Sequence, residues 1–132
     1  MLVVDASCLY ETLVGGERAE PIRARLAADE DQAAPHLVDA EVLSLVRRDL
    51  LRGTLDATAA QQAVDDLADW PGLRYAHGPL LARAWALRHE LRAWDALYVA
   101  LAEALGASLL TLDGRLARAR GPACAVEVVP GV

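Results

Sequence analysis

Short apolar runs and amphipathic helical stretches alternate along the whole chain, and this alternation restricts the fold more than any other property of the sequence. MLVV (Met1–Val4) is an apolar run closed by Asp5, the pattern of a strand buried on both faces. A helical stretch begins at about Ser7, which is placed to cap it, and runs to Val14 before Gly15-Gly16. Another covers the Glu20–Ala28 region and ends in the acidic loop Asp29-Glu30-Asp31. PHLV (Pro35–Val38) reads as the second strand. The helix expected from about Asp39 to Leu51 puts Val42, Leu45, Val46 and Leu50 on one face, with Gly53 at its end.

The second half repeats the pattern. Residues Asp56–Asp69 form a helix stopped by Trp70-Pro71-Gly72, and LRYA (Leu73–Ala76) is a short strand. A helix from about Pro79 to His89 starts with proline in its first turn, and another runs from Trp94 or Asp95 to Leu105 before Gly106. Neither glycine nor proline separates these two, so a single long helix is an open alternative. ASLLTL (Ala107–Leu112) and AVEVV (Ala125–Val129) complete the strands, with a short helix around Arg115–Arg120 between them. Such alternation in one chain specifies an α/β class, with helices on both faces of a mostly parallel sheet.

A length of 132 residues fits one domain over 1–132, and an apolar fraction of 55% suffices for an aliphatic core without any Phe. No apolar run approaches the ~18 residues that span a bilayer. The start, MLVVDASCLY, lacks the basic segment of a signal peptide, so no membrane association and a cytoplasmic location are expected. Cys8 and Cys124 form no CxxC pair and read as reduced thiols. The net charge of −6 argues against a protein that binds nucleic acid through bulk positive charge. It does not argue against an enzyme that meets phosphate through bound cations. All 13 basic residues are arginines.

In open α/β sheets, ligands gather beyond the carboxyl ends of the strands. Asp5 directly follows the first strand, Glu41 lies in the first helical turn after the second, and Asp113 follows ASLLTL. Asp95 opens a helix instead. An acid at a helix start commonly caps free N–H groups, and spacing alone leaves capping and metal binding both open. Asp5 resists the capping reading best, because an acid closing a buried strand is costly unless something compensates it.

MLVVDAS, PHLVDAE and WDALYVALAEALGASLLTLD, with RAWALR (Arg83–Arg88) before the last of them, resemble the PIN-domain ribonucleases. The similarity is to the VapC-type toxins of bacterial toxin–antitoxin pairs, and it runs in order through nearly the whole chain. The resemblance implies a three-layer α/β/α fold with sheet order 3-2-1-4-5, which brings Asp95 beside the strand-end acids. Asp5, Glu41, Asp95 and Asp113 match the family's acidic quartet, and Ser7 and Thr111 match hydroxyls that support it. Mg²⁺ or Mn²⁺ is the implied cofactor, held by Asp5, Asp95 and Asp113, and such hard cations prefer oxygen ligands. Glu41 or Asp113 is then the group that deprotonates water for attack on an RNA phosphodiester. The implied partners are an RNA substrate, a VapB-type antitoxin and a second copy in a homodimer. Trp94 departs from the Tyr common before the third acid, and GRLARA after Asp113 lacks a further acid that some members carry.

Receiver domains and haloacid-dehalogenase phosphatases share the architecture but need a lysine at the acidic pocket, and this chain has none. A PIN nuclease of RNA processing, or a silent binding module, remains as an alternative. His36, His77 and His89 share no metal-ligand spacing and read as structural. Arg47, Arg48, Arg52, Arg88, Arg92, Arg115, Arg118 and Arg120 are candidates to meet RNA phosphates or to form ordinary ion pairs. Of Trp70, Trp85 and Trp94, helical spacing assigns Trp85 to the core.

Overall fold

A computed structural model of the protein describes residues 1–29 and 31–131. Glu30, in the middle of the expected acidic loop, lies outside the described residues, as does Val132. Five strands form one sheet in the order β3-β2-β1-β4-β5, and every neighbouring pair is parallel. The strands are β1 (Leu2–Val4), β2 (Gln32–Pro35), β3 (Leu73–Tyr75), β4 (Ser108–Thr111) and β5 (Val126–Val128). Between them lie α1 (Ala6–Val14), α2 (Ala19–Ala27), α3 (Leu37–Arg52), α4 (Ala57–Asp69), α5 (Leu81–Ala86), α6 (Ala93–Leu105) and α7 (Gly114–Arg118).

The chain moves one way across the sheet from β1 to β3, then returns past β1 to β4 and β5. Parallel crossovers are right-handed, so α1–α4 cover one face and α5–α7 the other. The packing agrees: α1, α3 and α4 lie on one another, while α6 lies on β1, β2 and β4 with α5 against it. This is the expected three-layer arrangement. Leu2, Val3 and Val4 of the central strand are fully buried, as are Leu109 and Leu110 beside them or nearly so. Val99, Ala100 and Leu101 close the core from α6.

Two expected elements shift. The second strand is Gln32–Pro35 and not Pro35–Val38, because Leu37 and Val38 already belong to α3. Val38, Val42 and Val46 form the buried stripe of that helix, so an apolar pair expected in the sheet packs on it instead. Leu50, expected on the inner face, is exposed. Glu41 therefore sits in the second turn of α3 and not the first. Asp5, not Ser7, caps α1: its side chain accepts from the Cys8 N–H.

The Pro79–His89 segment is neither one helix nor fused to the next. A 3₁₀ turn at Gly78–Leu80 leads into α5, and the chain turns before Arg92, which is extended, starts α6. Burial of Leu80 and Leu87 turns one side of this segment inward, and Leu87 N–H is shared between the Arg83 and Ala84 carbonyls at the helix end. That phase leaves Trp85 outside: it is 68% exposed with the Arg88 guanidinium over its ring, which corrects its assignment to the core. Cys8 and Cys124 are both free thiols. No helix among the described residues is long and apolar enough to cross a membrane.

Leu101 fills the interface between α6 and the sheet, whereas Leu51 is 67% exposed. Leu101→Ala is expected to cost about 2–5 kcal/mol of unfolding free energy, and Leu51→Ala less than about 0.5 kcal/mol. Urea denaturation of the two variants checks the difference.

Candidate metal centre at the strand switch point

The chain reverses its direction across the sheet between β1 and β4, and such a reversal opens a crevice beyond the carboxyl ends of the two strands. Asp5 follows β1 directly and Asp113 lies two residues past β4. The second turn of α3 brings Glu41 to the crevice from one face of the sheet, and the first turn of α6 brings Asp95 from the other. All four line one cavity of about 520 Å³, together with Ser7, Arg92, Trp94 and Tyr98.

Asp5 is the most firmly held of the four. Its Oδ1 accepts from the Ser7 hydroxyl at 2.5 Å and from the Cys8 N–H at 3.1 Å. Its Oδ2 accepts from the Thr111 hydroxyl. The Thr111 Oγ1 in turn accepts from the Asp113 N–H at 3.0 Å, so one buried hydroxyl links the ends of β1 and β4. Burial pushes the Asp5 carboxyl above its ordinary range and outweighs these hydrogen bonds, each of which pulls it down. Ser7 and Thr111, the two hydroxyls that the resemblance singles out, both donate to Asp5.

Glu41 is raised as well, first by burial and then by the negative charges of Asp5 and Asp95, with the neighbouring Tyr98 hydroxyl and Arg92 pulling the other way. Among the described residues its Oε1 and the neighbouring Tyr98 hydroxyl are both buried and make no hydrogen bond of ordinary geometry. Tyr98 is pushed up by its own burial and by the Glu41 charge, and so keeps its proton. Asp113 behaves oppositely. It caps α7, accepting the Arg115 N–H at 2.9 Å and both arms of the Arg115 guanidinium at 3.1 Å. The guanidinium holds its carboxyl below the usual range. Asp95 faces the Arg92 Nε at 3.3 Å.

Among the described residues, no three acidic, histidine or cysteine side chains converge closely enough to hold a metal ion as they stand. Two of the four acids, Asp95 and Asp113, are each paired with an arginine. The donor set nevertheless suits a hard dication. It is all oxygen, one carboxylate oxygen is buried without a hydrogen bond of ordinary geometry, and two carboxyls carry an electrostatic penalty that a cation would relieve.

Tyr98 is the pocket group that the sequence left unassigned, while Arg92 and Arg115, named there for RNA phosphates or ion pairs, pair with Asp95 and Asp113. The signal for Tyr98 was its spacing: three residues after Asp95, it falls on the same helical face. His77 is structural in the expected sense, its Nε2 accepting the Leu37 N–H at 3.0 Å at the start of α3. Of the other arginines named from the sequence, Arg48 pairs with Asp49, Arg88 covers Trp85, and Arg47 lies on the exposed side of α3.

A PIN domain model matches residues 2–122. The chain is 41% identical over 128 residues to Ribonuclease VapC1 of Mycobacterium tuberculosis, covering 96% of each protein. It is 44% identical over 119 residues to Ribonuclease VapC3 of the same organism, covering 89% of this chain and 86% of the relative. Among solved structures, VapC20 of M. tuberculosis, a sarcin–ricin loop cleaving toxin, superposes with a TM-score of 0.71 at 23% identity, covering 98% of this chain and 100% of the other. FitAcB of Neisseria gonorrhoeae superposes with a TM-score of 0.65 at 22% identity over 96% of each chain. Both structures show the shared fold.

The raised Asp5 and Glu41 carboxyls have a consequence for metal-free protein. A carboxyl whose folded pKa lies above its unfolded value contributes stability at acid pH, and that contribution is lost as pH rises through the folded pKa. Asp5→Asn and Glu41→Gln are therefore expected to gain stability on wild type progressively from about pH 4 upward. Asp5→Ala, which loses the cap as well, should fall below Asp5→Asn by about 1 kcal/mol. Thermal melts in EDTA across pH check all three.

Proposed function

The chain belongs to the PIN-domain family, and from that premise we propose that it is a divalent-metal-dependent endoribonuclease acting as the toxin of a VapBC-type pair. The observation that carries the proposal is the meeting of Asp5, Glu41, Asp95 and Asp113, which are far apart in sequence, around one cavity at the switch point. Relatives named as ribonucleases that align over nearly their whole length support the same reading.

Asp5, Asp95 and Asp113 are the residues that would hold Mg²⁺ or Mn²⁺. When bound, such an ion neutralises charge on the scissile phosphate and makes water a stronger acid. The rest of the chemistry belongs to the chain. Ser7 and Thr111 fix both oxygens of Asp5, so its orientation is set before substrate arrives. Glu41 takes the proton of the attacking water. A raised pKa makes it the better base. Asp113, assigned with Asp5 and Asp95 to hold the ion, serves as a ligand and not as the base. The Tyr98 hydroxyl, which keeps its proton, is a donor poised beside Glu41.

The antitoxin partner follows from the same electrostatics. A pocket of clustered carboxylates accepts a guanidinium in place of a cation, so a basic side chain from a VapB-type antitoxin would block it. The protein is proposed to work in the cytoplasm as a homodimer.

Purified protein is expected to cleave structured RNA with Mg²⁺ or Mn²⁺ and to lose that activity in EDTA. Asp5→Asn, Asp95→Asn and Glu41→Gln should each lower the rate at least about 100-fold. Gel-resolved cleavage of defined RNAs checks this, and activity surviving EDTA together with both Asp substitutions would remove the mechanism.

A further inference from the structure

The arginines of this chain fall into two physical groups. Arg74 is tied at several points, to Asp39 and to the carbonyls of Leu67 and Trp70. Arg83 likewise joins Glu103 to the Gly121 carbonyl, and Arg25 grips Glu127 with two N–H groups at 2.6 and 2.9 Å, tying α2 to β5. These side chains hold elements together. Arg92 and Arg115 do not. Among the described residues, each side chain reaches a single acid, Asp95 and Asp113 respectively, and neither bridges two elements through a carbonyl. Their side chains are 64% and 79% exposed. Both line a second cavity of about 240 Å³ with Glu90, and it shares Arg92, Asp95 and Asp113 with the larger acidic cavity.

We infer that Arg92 and Arg115 are resident counterions: in the cation-free chain each occupies a carboxylate of the pocket, and each turns to the phosphates of single-stranded RNA once a divalent cation takes those carboxylates.

Three observations carry this. The two acids they engage, Asp95 and Asp113, both line the acidic cavity, and among the described residues Asp5 and Glu41 make no ion pair. Their influence extends past their own partners: Arg92 also lowers Glu41 and Asp113, and Arg115 feels Asp95, so both belong to the electrostatics of the whole pocket. Finally, exposed ion pairs are weak and exchangeable, whereas a guanidinium set free beside a phosphate binds it through two N–H groups. A pocket meant for a polyanion otherwise has no cationic side chain along its lining except Arg92.

The inference rests on the metal site proposed above, and one experiment separates the two. Mn²⁺ binding to the full-length chain is measured by titration calorimetry for wild type, Arg92→Gln, Arg115→Gln, the double variant and Arg47→Gln. Each single pocket variant should bind Mn²⁺ about two- to fivefold more tightly than wild type, the range that an exposed ion pair supports. Arg47→Gln should match wild type. In the same two variants KM for a single-stranded RNA should rise by about three- to tenfold, with kcat changed less than about twofold, because contacts to non-reacting phosphates bind ground and transition states alike. Unchanged Mn²⁺ affinity with measurable wild-type binding overturns the counterion inference and leaves the metal site standing. Tighter Mn²⁺ with unchanged KM overturns the turn to RNA. Absence of Mn²⁺ binding in wild type and every variant overturns the metal site and the inference together.

Discussion

A carboxylate taken out of water at the end of a central strand must be compensated, and much of this structure is the compensation. Asp5 receives a hydroxyl from its own helix, a backbone N–H from the first turn of α1, and a hydroxyl from β4. Those three donors still leave it above its ordinary pKa, so the site retains an unmet demand for positive charge. Glu41 adds to the demand from α3, raised by burial beside the Tyr98 hydroxyl and by the charges of Asp5 and Asp95. A stable, fully satisfied core would not be built this way; strain of this kind is kept where chemistry uses it.

The sheet topology is what allows four acids from four different segments to share that demand. Because β1 lies between β2 and β4, the crossovers to either side leave from opposite faces. Helices from both layers therefore end or begin at the same crevice, one offering Glu41 and the other Asp95. The exposed arginines then settle the charge of the resting pocket, each against a single acid. Compared with Arg74 or Arg83, which knit elements together, they cost little to displace.

The sequence was most readable where one physical demand dominated. A fully buried central strand has to be a short apolar run, and Leu2–Val4 and Ser108–Thr111 were recognisable as such. The acids that close those strands were recognisable too, although residue spacing could not distinguish a cap from a ligand. Asp5 and Asp113 explain why: each caps a helix and also lines the cavity. Legibility failed where two demands produce the same pattern. Leu37 and Val38 suit a strand and a helix face equally, and only the partner strand β3, reaching Tyr75 opposite Pro35, fixes where β2 stops. Trp85 looks like core by spacing, but the short α5 is anchored by Leu80 and Leu87 at its flanks and has no buried residue of its own. The pairs Arg92–Asp95 and Arg115–Asp113 are three and two residues apart in sequence, but spacing of that kind did not distinguish an ion pair from a phosphate contact.

The Thr111 hydroxyl gives its one proton to Asp5 and accepts the Asp113 amide on a lone pair. That geometry exists only when Val4 stands opposite Leu110. Slide β4 by one residue and the hydroxyl swings to the other side of the sheet, leaving an aliphatic side chain against a dehydrated carboxylate. The crevice thereby acts as a gauge of strand alignment: a chain that pairs its central strands wrongly is penalised at the spot where its acids meet, so accurate assembly and a well-formed cleft are selected by a single contact.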